Sequence, residues 1–343
     1  MGPGGLRSGG DAGRGRPALN RTVLVTGGAG FIGSTLVRRL VADGDRVRIL
    51  DDLSIGRLAY LEGVPVEALI APLSDEDAVE TAVRDADAVV HLAARAGIPD
   101  SVTDPIGTFG VNVTQMLGVL DAARRAGVRR FVFASSNAAT GDHEPPADED
   151  DLPHPLSPYG ASKLAGEAYC QAFAATYGIA ASVLRFSNAY GPYSLHKKSV
   201  VAAWLRAALA GEPVTIHGDG SQTRDFVFSG DLAEAIVATL AAPADVISGE
   251  VFQVGTGRET TIAELAAAVE AAVGRPLVVE RGPARAGDVR RNVSGVGKAA
   301  ERLGYRAQVP LADGLRRTAT WFAAALEDPE LAAVTPHAAS GSE

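Results

Sequence analysis

Cysteine is nearly absent from this 343-residue chain. Cys170 is the only one, so no internal disulfide can form. The six histidines make no cluster with it, which excludes a structural zinc site, and no metal centre is expected. Long apolar runs are missing as well. Charges or glycines interrupt every stretch that approaches the roughly eighteen residues a membrane helix needs, so no span is expected. There is no surplus of positive charge: 32 Lys and Arg stand against 41 Asp and Glu, a formal balance of −9. That argues against a nucleic-acid partner held through phosphates, while leaving room for a local arginine cluster around a small anion. The first twenty residues carry Arg7, Arg14 and Arg16 but no apolar run, and so do not read as a secretory signal. Composition is otherwise that of a globular chain, 46% hydrophobic and 21% charged, which excludes a wholly disordered one. The expectation is a cytoplasmic protein with one large domain or two interleaved ones.

What is present is a rhythm. Residues 1–20 and 328–343 are Gly-, Pro-, Ser- or Ala-rich and read as disordered tails. Between them, short β-branched runs at 22–26, 46–51, 68–73, 88–93, 130–135 and 181–186 alternate with Ala-rich segments of helical period at 31–43, 75–85, 105–126 and 159–177. Strand and helix in this alternation build a parallel sheet covered on both faces, a Rossmann-like doubly wound α/β fold. After Gly191 the alternation loosens. Helices are expected near 198–210, 231–240, 297–303 and 311–326, and strands at 214–217, 225–228, 251–254 and 277–280. Thr261 with Glu264 makes a capping box that opens a helix to 273. This stretch reads as a smaller, discontinuous α/β substrate domain. The division expected is 21–190 with about 225–256 for the first domain, and about 191–224 with 257–327 for the second. The acidic run 142–151 reads as a solvated loop without a role.

The first strand runs straight into Gly27-Gly28-Ala29-Gly30-Phe31-Ile32-Gly33 and then a helix. Glycines at 27 or 28, 30 and 33 let the backbone turn tightly, approach a pyrophosphate and pack helix against strand. The N–H groups at the helix start, at Phe31, Ile32 and Gly33, then face the anion. Asp51 closes the next strand, where a carboxylate hydrogen-bonds the adenine ribose and repels a 2′-phosphate, so the cofactor expected is NAD rather than NADP. The other reading of Asp51 is a strand-end cap.

Tyr159 and Lys163 stand one helical turn apart, on one face. A phenol, with a reference pKa of about 10, is a poor base near neutrality. A nearby ammonium and the positive nicotinamide ring favour the phenolate and lower that value. Ser135 and Ser136 close the strand whose following loop faces the cofactor, and a hydroxyl from Ser136 can hold a substrate oxygen beside Tyr159.

Taken together, these motifs resemble the extended short-chain dehydrogenase/reductases, specifically the NAD-dependent nucleotide-sugar epimerase/dehydratase family. The marks are TGGAGFIG (26–33), LDDLS (50–54), HLAA (91–94), Asn112, ASSNAATG (134–141), SPYGASKLAGE (157–167), LRFSNAYGP (184–192), GDGSQTRDFVF (218–228) and RAGD (285–288). The resemblance runs from about 22 to 325. It implies Ser136, Tyr159 and Lys163 as the catalytic set, with Tyr159 the base. It implies that Asp52, Leu73, Leu92, Ala93, Ala94 and Asn112, with Tyr159 and Lys163, join the glycine loop and Asp51 around NAD. Toward the substrate it implies Ser136, Asn137 and Tyr159 at the sugar, Asn188 at the nucleotide diphosphate, Arg224 and Arg285 as a phosphate clamp, Asp288 at the nucleotide ribose, and Thr215 and His217 near the base. His217 stands where the family usually has an aromatic, and reads as packing rather than catalysis. Arg224 before Asp225 reads alternatively as a surface ion pair. A homodimer is also implied, paired through the helices at 105–126 and 159–177.

Departures from the family's patterns narrow the chemistry. Dehydratases of the family carry Asp-Glu after the catalytic hydroxyl, because elimination needs an acid and a base. Here Asn137 and Ala138 stand there, and neither transfers protons. Decarboxylases carry a Glu at the second place and an Arg after Tyr-Gly-Pro, where this chain has Ala138 and Tyr193. Pro72 replaces an Asp that commonly meets the adenine. Lys197 and Lys198 read first as a solvated loop end, and second as contacts to a phosphate or a uronate carboxylate. Asn292, small where some epimerases have a Tyr, leaves room for an N-acetyl group at C2. The resulting expectation is a UDP-sugar or other NDP-sugar 4-epimerase, acting on UDP-glucose/galactose or the N-acetyl forms through a 4-keto intermediate. The alternatives are a UDP-glucuronate 4-epimerase or decarboxylase, a 4-keto-sugar reductase and, remotely, a silent NAD-binding regulator.

Overall fold

The computed structural model describes residues 21–284 and 290–332. Seven parallel strands form the main sheet: β1 (Thr22–Thr26), β2 (Arg46–Asp51), β3 (Glu67–Ile70), β4 (Ala88–His91), β5 (Arg130–Ser136), β6 (Ala180–Phe186) and, from the last third of the chain, Val251–Val254. Between these last two come β7 (Asn188–Tyr190), β8 (Val214–His217), β9 (Thr223–Arg224) and β10 (Phe226–Phe228), which makes Val251–Val254 β11; β12 (Thr260–Thr261) and β13 (Val279–Gly282) follow. The sheet order is β11-β6-β5-β4-β1-β2-β3. The chain winds outward from β1 through β2 to β3 and then returns to place β4 on the other side of β1. A switch point therefore opens at the carboxyl ends of β1 and β4, where doubly wound sheets bind ligands.

Alternation along β1 shows why both faces are covered. Val23 and Val25 pack into one apolar layer with Leu36, Val37 and Leu40 of the helix Phe31–Ala42 and Leu232, Ile236 and Leu240 of the helix Ser229–Ala241. Leu24 points the other way, into a layer with Val79 and Val83, Met116, Val119 and Leu120, and Cys170 of the helix Pro158–Tyr177. A third apolar cluster joins the helices Val200–Ala210, Ile262–Val273 and Leu311–Glu327 with Val214, Ile216, Phe226 and Phe228. The capping box at Thr261 and Glu264 is formed.

Several boundaries differ from expectation, each for a local reason. β3 stops at Ile70 rather than 73, since Pro72 has no N–H to continue the ladder. β4 stops at His91, opposite the last residue of β1. β13 lies two residues later than expected because Val214 of β8 registers with Val279. The helix expected at 105–126 is preceded by Ile98–Thr103 and widens into a π-type stretch at Gly110–Gln115. Residues 329–332 form a short helix rather than tail, while the tail expected at 1–20 and residues 333–343 lie outside the described residues. The acidic run is no free loop: Ala147 bridges Ser294, and the Glu149 carboxylate accepts from the Gln253 N–H at 2.6 Å. Among the described residues no helix is long and apolar enough to cross a membrane, and no group of three or more His, Cys, Asp or Glu could hold a metal ion.

Candidate active site

The glycine loop is shaped by what it cannot accommodate. A Cβ on Gly33 would lie 2.1 Å from the Gly27 carbonyl, so only hydrogen lets the first helical turn settle onto the loop. Gly30 caps the helix without a side chain, and no acidic residue sits in the first turn. The Ser34 N–H makes the helix's first bond, to Gly30 O, leaving the N–H groups of Phe31, Ile32 and Gly33 outside the helical ladder. This cradle fits a diphosphate. Asp51 is buried at the end of β2, its two oxygens accepting from the N–H groups of Ala29 (3.0 Å) and Leu53 (2.9 Å). Burial pushes its pKa up, and those two bonds act in the opposite direction. Asp51 thus braces the loop as well as closing the strand, while Asp52 is exposed and accepts from Ser54. Leu73, Leu92, Ala93 and Ala94 are half-buried, and the Ala93 N–H reaches the Thr26 hydroxyl at 3.4 Å.

Asn112 sits in the π-type stretch and is almost fully buried. Its amide oxygen accepts from the Arg95 N–H (2.8 Å), and its nitrogen donates to Arg95 O (3.1 Å) and to the Ser162 hydroxyl (3.0 Å). Both amide hydrogens are therefore spent inside the protein. The structure places Asn112 as a staple between the loop after β4 and the helix that carries Tyr159.

That helix starts where it does because Ser157 accepts from the Gly160 N–H at 3.1 Å and Pro158 occupies its first position. A Cβ on Gly160 would lie 2.2 Å from the Ala138 carbonyl, so the glycine admits the helix start directly onto the turn after β5. Tyr159 is thereby brought near Ser136, whose hydroxyl accepts from the Ala138 N–H at 3.2 Å and lies 3.3 Å from the Asn137 amide oxygen. Burial pushes the phenol's pKa up, and the nearby Ser136 hydroxyl acts against that. Lys163, one turn on, is 3% exposed, donates to Ala134 O at 2.9 Å and lies 5.9 Å from the Tyr159 ring centre. Burial lowers its pKa to about 8, against an upward pull from Glu167. Glu167 forms a buried ion pair with Arg185 at 2.8 Å and accepts from the Ser135 hydroxyl at 2.5 Å. Below Thr26, His91 shares its Nδ1 with that hydroxyl at 2.9 Å and lies between Phe131 and Phe133; burial and Lys163 hold its pKa at about 3, so the ring is neutral.

Segments remote in sequence meet beside this corner. Asn137 donates from its amide to the Asn292 amide oxygen at 2.9 Å. Asp225 is wholly buried, not part of a surface pair: it accepts from Thr256 N and Oγ1, from Gly257 N and from the Ser187 hydroxyl. Ser187 in turn meets the Ser294 hydroxyl at 2.7 Å. This hub holds β7 beside β10, and with them Asn188, whose amide nitrogen is buried without a partner among the described residues. An unspent buried donor at that place suits an anionic ligand oxygen. Arg224 lies on β9 next to the hub, its guanidinium donating to Thr223 O at 2.7 Å. Thr215 and His217 lie on β8, with His217 Nδ1 3.2 Å from Pro283 O. Arg285 and Asp288 fall outside the described residues. Ser187, Ser294 and Asp225 carry no local mark as site builders, because they act through partners 31 to 107 positions away.

Fold and site together define an enzyme that binds a dinucleotide at the end of a parallel sheet beside a Ser, Tyr and Lys group. The chain belongs to the NAD dependent epimerase/dehydratase family, whose sequence model matches residues 23–255. It is similar to the UDP-glucose 4-epimerase of Mycolicibacterium smegmatis, 42% identical over 308 residues that cover 87% of this chain and 97% of that protein. Among solved structures it resembles the Thermus thermophilus UDP-glucose 4-epimerase complexed with NAD (38% identity, TM-score 0.81, covering 88% of this chain and 98% of that one). The UDP-glucose 4-epimerase of Thermotoga maritima, solved with UDP-glucose, matches at 35% identity and TM-score 0.83, covering 89% and 99%.

Proposed function

We propose that this chain inverts C4 of a nucleotide-diphosphate sugar, a UDP-hexose or its N-acetyl form, through a transient 4-keto sugar. The observation that carries this reading is the composition of the reacting corner. Ser136, Tyr159 and Lys163 converge there, and the turn beyond offers Asn137 and Ala138 instead of an acid–base pair. A phenol and a hydroxyl can relay one proton to and from a sugar oxygen, whereas loss of water or of carbon dioxide asks for further proton-transfer groups. The names of the relatives support the same substrate class.

The N–H groups of Phe31, Ile32 and Gly33 and the braced end of β2 are the groups that would hold NAD. Bound there, NAD supplies the acceptor and donor of hydride at C4. Tyr159 takes the proton of the 4-hydroxyl and later returns it. Ser136 holds that oxygen in line with the phenol. Lys163, fixed by the Ala134 carbonyl, places a positive charge near the ring and favours the phenolate. Asn188 and Arg224 are the groups that would grip the nucleotide diphosphate while the sugar turns and presents its other face, which would confine the reactive ketone. Ile106 and Phe109, apolar yet exposed, lie on the helices expected to pair two copies, and support a homodimer. NAD and nucleotide sugars as reactants, with one buried thiol, suit a cytoplasmic setting.

The test is proton NMR of the purified chain incubated separately with UDP-glucose, UDP-N-acetylglucosamine and UDP-glucuronate. A C4-inverted product from either of the first two is expected. Release of carbon dioxide from the uronate, or silence with all three after NAD is added, overturns the reading.

A further inference from the structure

The loop after Gly191 holds a lysine that the catalytic account leaves unused. Lys197 does not end in solvent, as its neighbour does. Lys198 is exposed and pairs with Asp100 at 3.4 Å, whereas the Lys197 ammonium lies 4.8 Å from the centre of the Phe31 ring and makes no hydrogen bond or ion pair among the described residues. Phe31 is the first residue of the helix that follows the glycine loop, so the charge lies beside the first turn of that helix.

Its position is held from several sides. The Lys197 N–H donates to Ser194 O, and Arg206 donates to the carbonyls of Leu195 and Lys197, the latter at 2.8 Å. Arg57 joins the same corner, its backbone N–H donating to Ala29 O within the glycine loop at 3.0 Å. His196 between them is pushed down to a pKa of about 4 by burial and by Lys197, Arg57 and Arg206, so it adds no charge at neutral pH. Of these cations, the Lys197 ammonium lies beside Phe31, whereas the guanidinium of Arg206 is held on the carbonyls of the Lys197 loop and that of Arg57 on the carbonyls of Leu53, Ile55 and Gly56; the helix that Phe31 opens has no acidic residue in its first turn. Burial also lowers Lys197 itself to about 8, and among the described residues no countercharge stands against that.

We propose that Lys197 is a cofactor-binding residue whose ammonium closes over the diphosphate of NAD from the side opposite the helix N-terminus. The assignment rests on the dinucleotide site at the glycine loop and on nothing about the sugar. Lys197 then ties the second lobe to the first through the bound nucleotide, because the loop that bears it leads into the helix Val200–Ala210 of the third apolar cluster. A diphosphate could equally be that of the sugar nucleotide, and the test separates the two.

The test compares the native full-length chain with Lys197→Met, which keeps the stem on Phe31, and Lys197→Arg, which keeps the charge. ADP-ribose and UDP are titrated separately by calorimetry, after dialysis against buffer without nucleotide. ADP-ribose carries the diphosphate without the nicotinamide, so Tyr159 does not enter the reading. Lys197→Met is expected to weaken ADP-ribose about tenfold, the worth of one charge-assisted hydrogen bond, and to leave UDP unchanged. Lys197→Arg is expected to retain most of the affinity. Unchanged ADP-ribose affinity in Lys197→Met, or a loss confined to UDP, overturns the assignment. Failure of the native chain to bind ADP-ribose at all counts against the dinucleotide site itself, a separate result. Thermal melting of the ligand-free variant guards against misfolding: removing an uncompensated charge is expected to leave it as stable as the native chain, and if Lys197→Met melts early, the Lys197→Arg titration decides.

Discussion

Tyr159 is the residue whose chemistry depends most on its surroundings. Burial alone makes it a weaker acid, and Ser136 acts against that. Tyr159→Phe keeps the ring and removes the transferable proton. Turnover is expected to fall by about 10²–10⁴-fold with NAD still bound, checked by product NMR and by the nucleotide released on denaturation. Asn292 is the second residue where one side chain decides an outcome. Its amide oxygen accepts from Asn137, so two small neutral groups meet next to Ser136. Asn292→Tyr is expected to abolish turnover of UDP-N-acetylglucosamine and to spare UDP-glucose. Comparing kcat/KM for the two sugars reads this directly.

At the scale of the element, the catalytic helix depends on two packing devices. The first is the absent Cβ of Gly160, which lets the helix start rest on the Ala138 carbonyl. Gly160→Ala forces that contact apart and moves Tyr159 from Ser136. The expected result is a loss of kcat of at least about 10²-fold, with a much smaller change in melting temperature, since misplacement of a reacting group by about 1 Å has that consequence. The second is the buried Glu167–Arg185 pair, which ties the helix to β6. Glu167→Gln leaves the guanidinium buried without a countercharge and is expected to cost about 3–5 kcal/mol, measured by denaturant unfolding.

For the whole molecule, the sheet order puts the cradle and the catalytic helix at the same carboxyl edge, and the third apolar cluster brings a second wall against it. The outer face of the helices near residue 106 carries the exposed Ile106 and Phe109. If that face joins two copies, Ile106→Glu yields monomers by light scattering, while a native chain already monomeric removes the proposal.

How much of this was legible from the chain follows from the range of each interaction. The strand and helix rhythm, the capping box at Thr261 and the succession of β1, glycine loop and helix all showed in the residues, because hydrophobic period and turn chemistry act over a few positions. Tyr159 and Lys163 could be put on one face for the same reason. Nothing local shows that Asn137 meets Asn292, that Asp225 gathers Ser187, Thr256 and Gly257, or that Lys197 lies on Phe31 while Lys198 turns outward. Those contacts join segments separated by one or more crossovers. Their geometry is decided only when the sheet order and the packing of the second lobe bring the segments together, and burial then assigns the charges their surroundings.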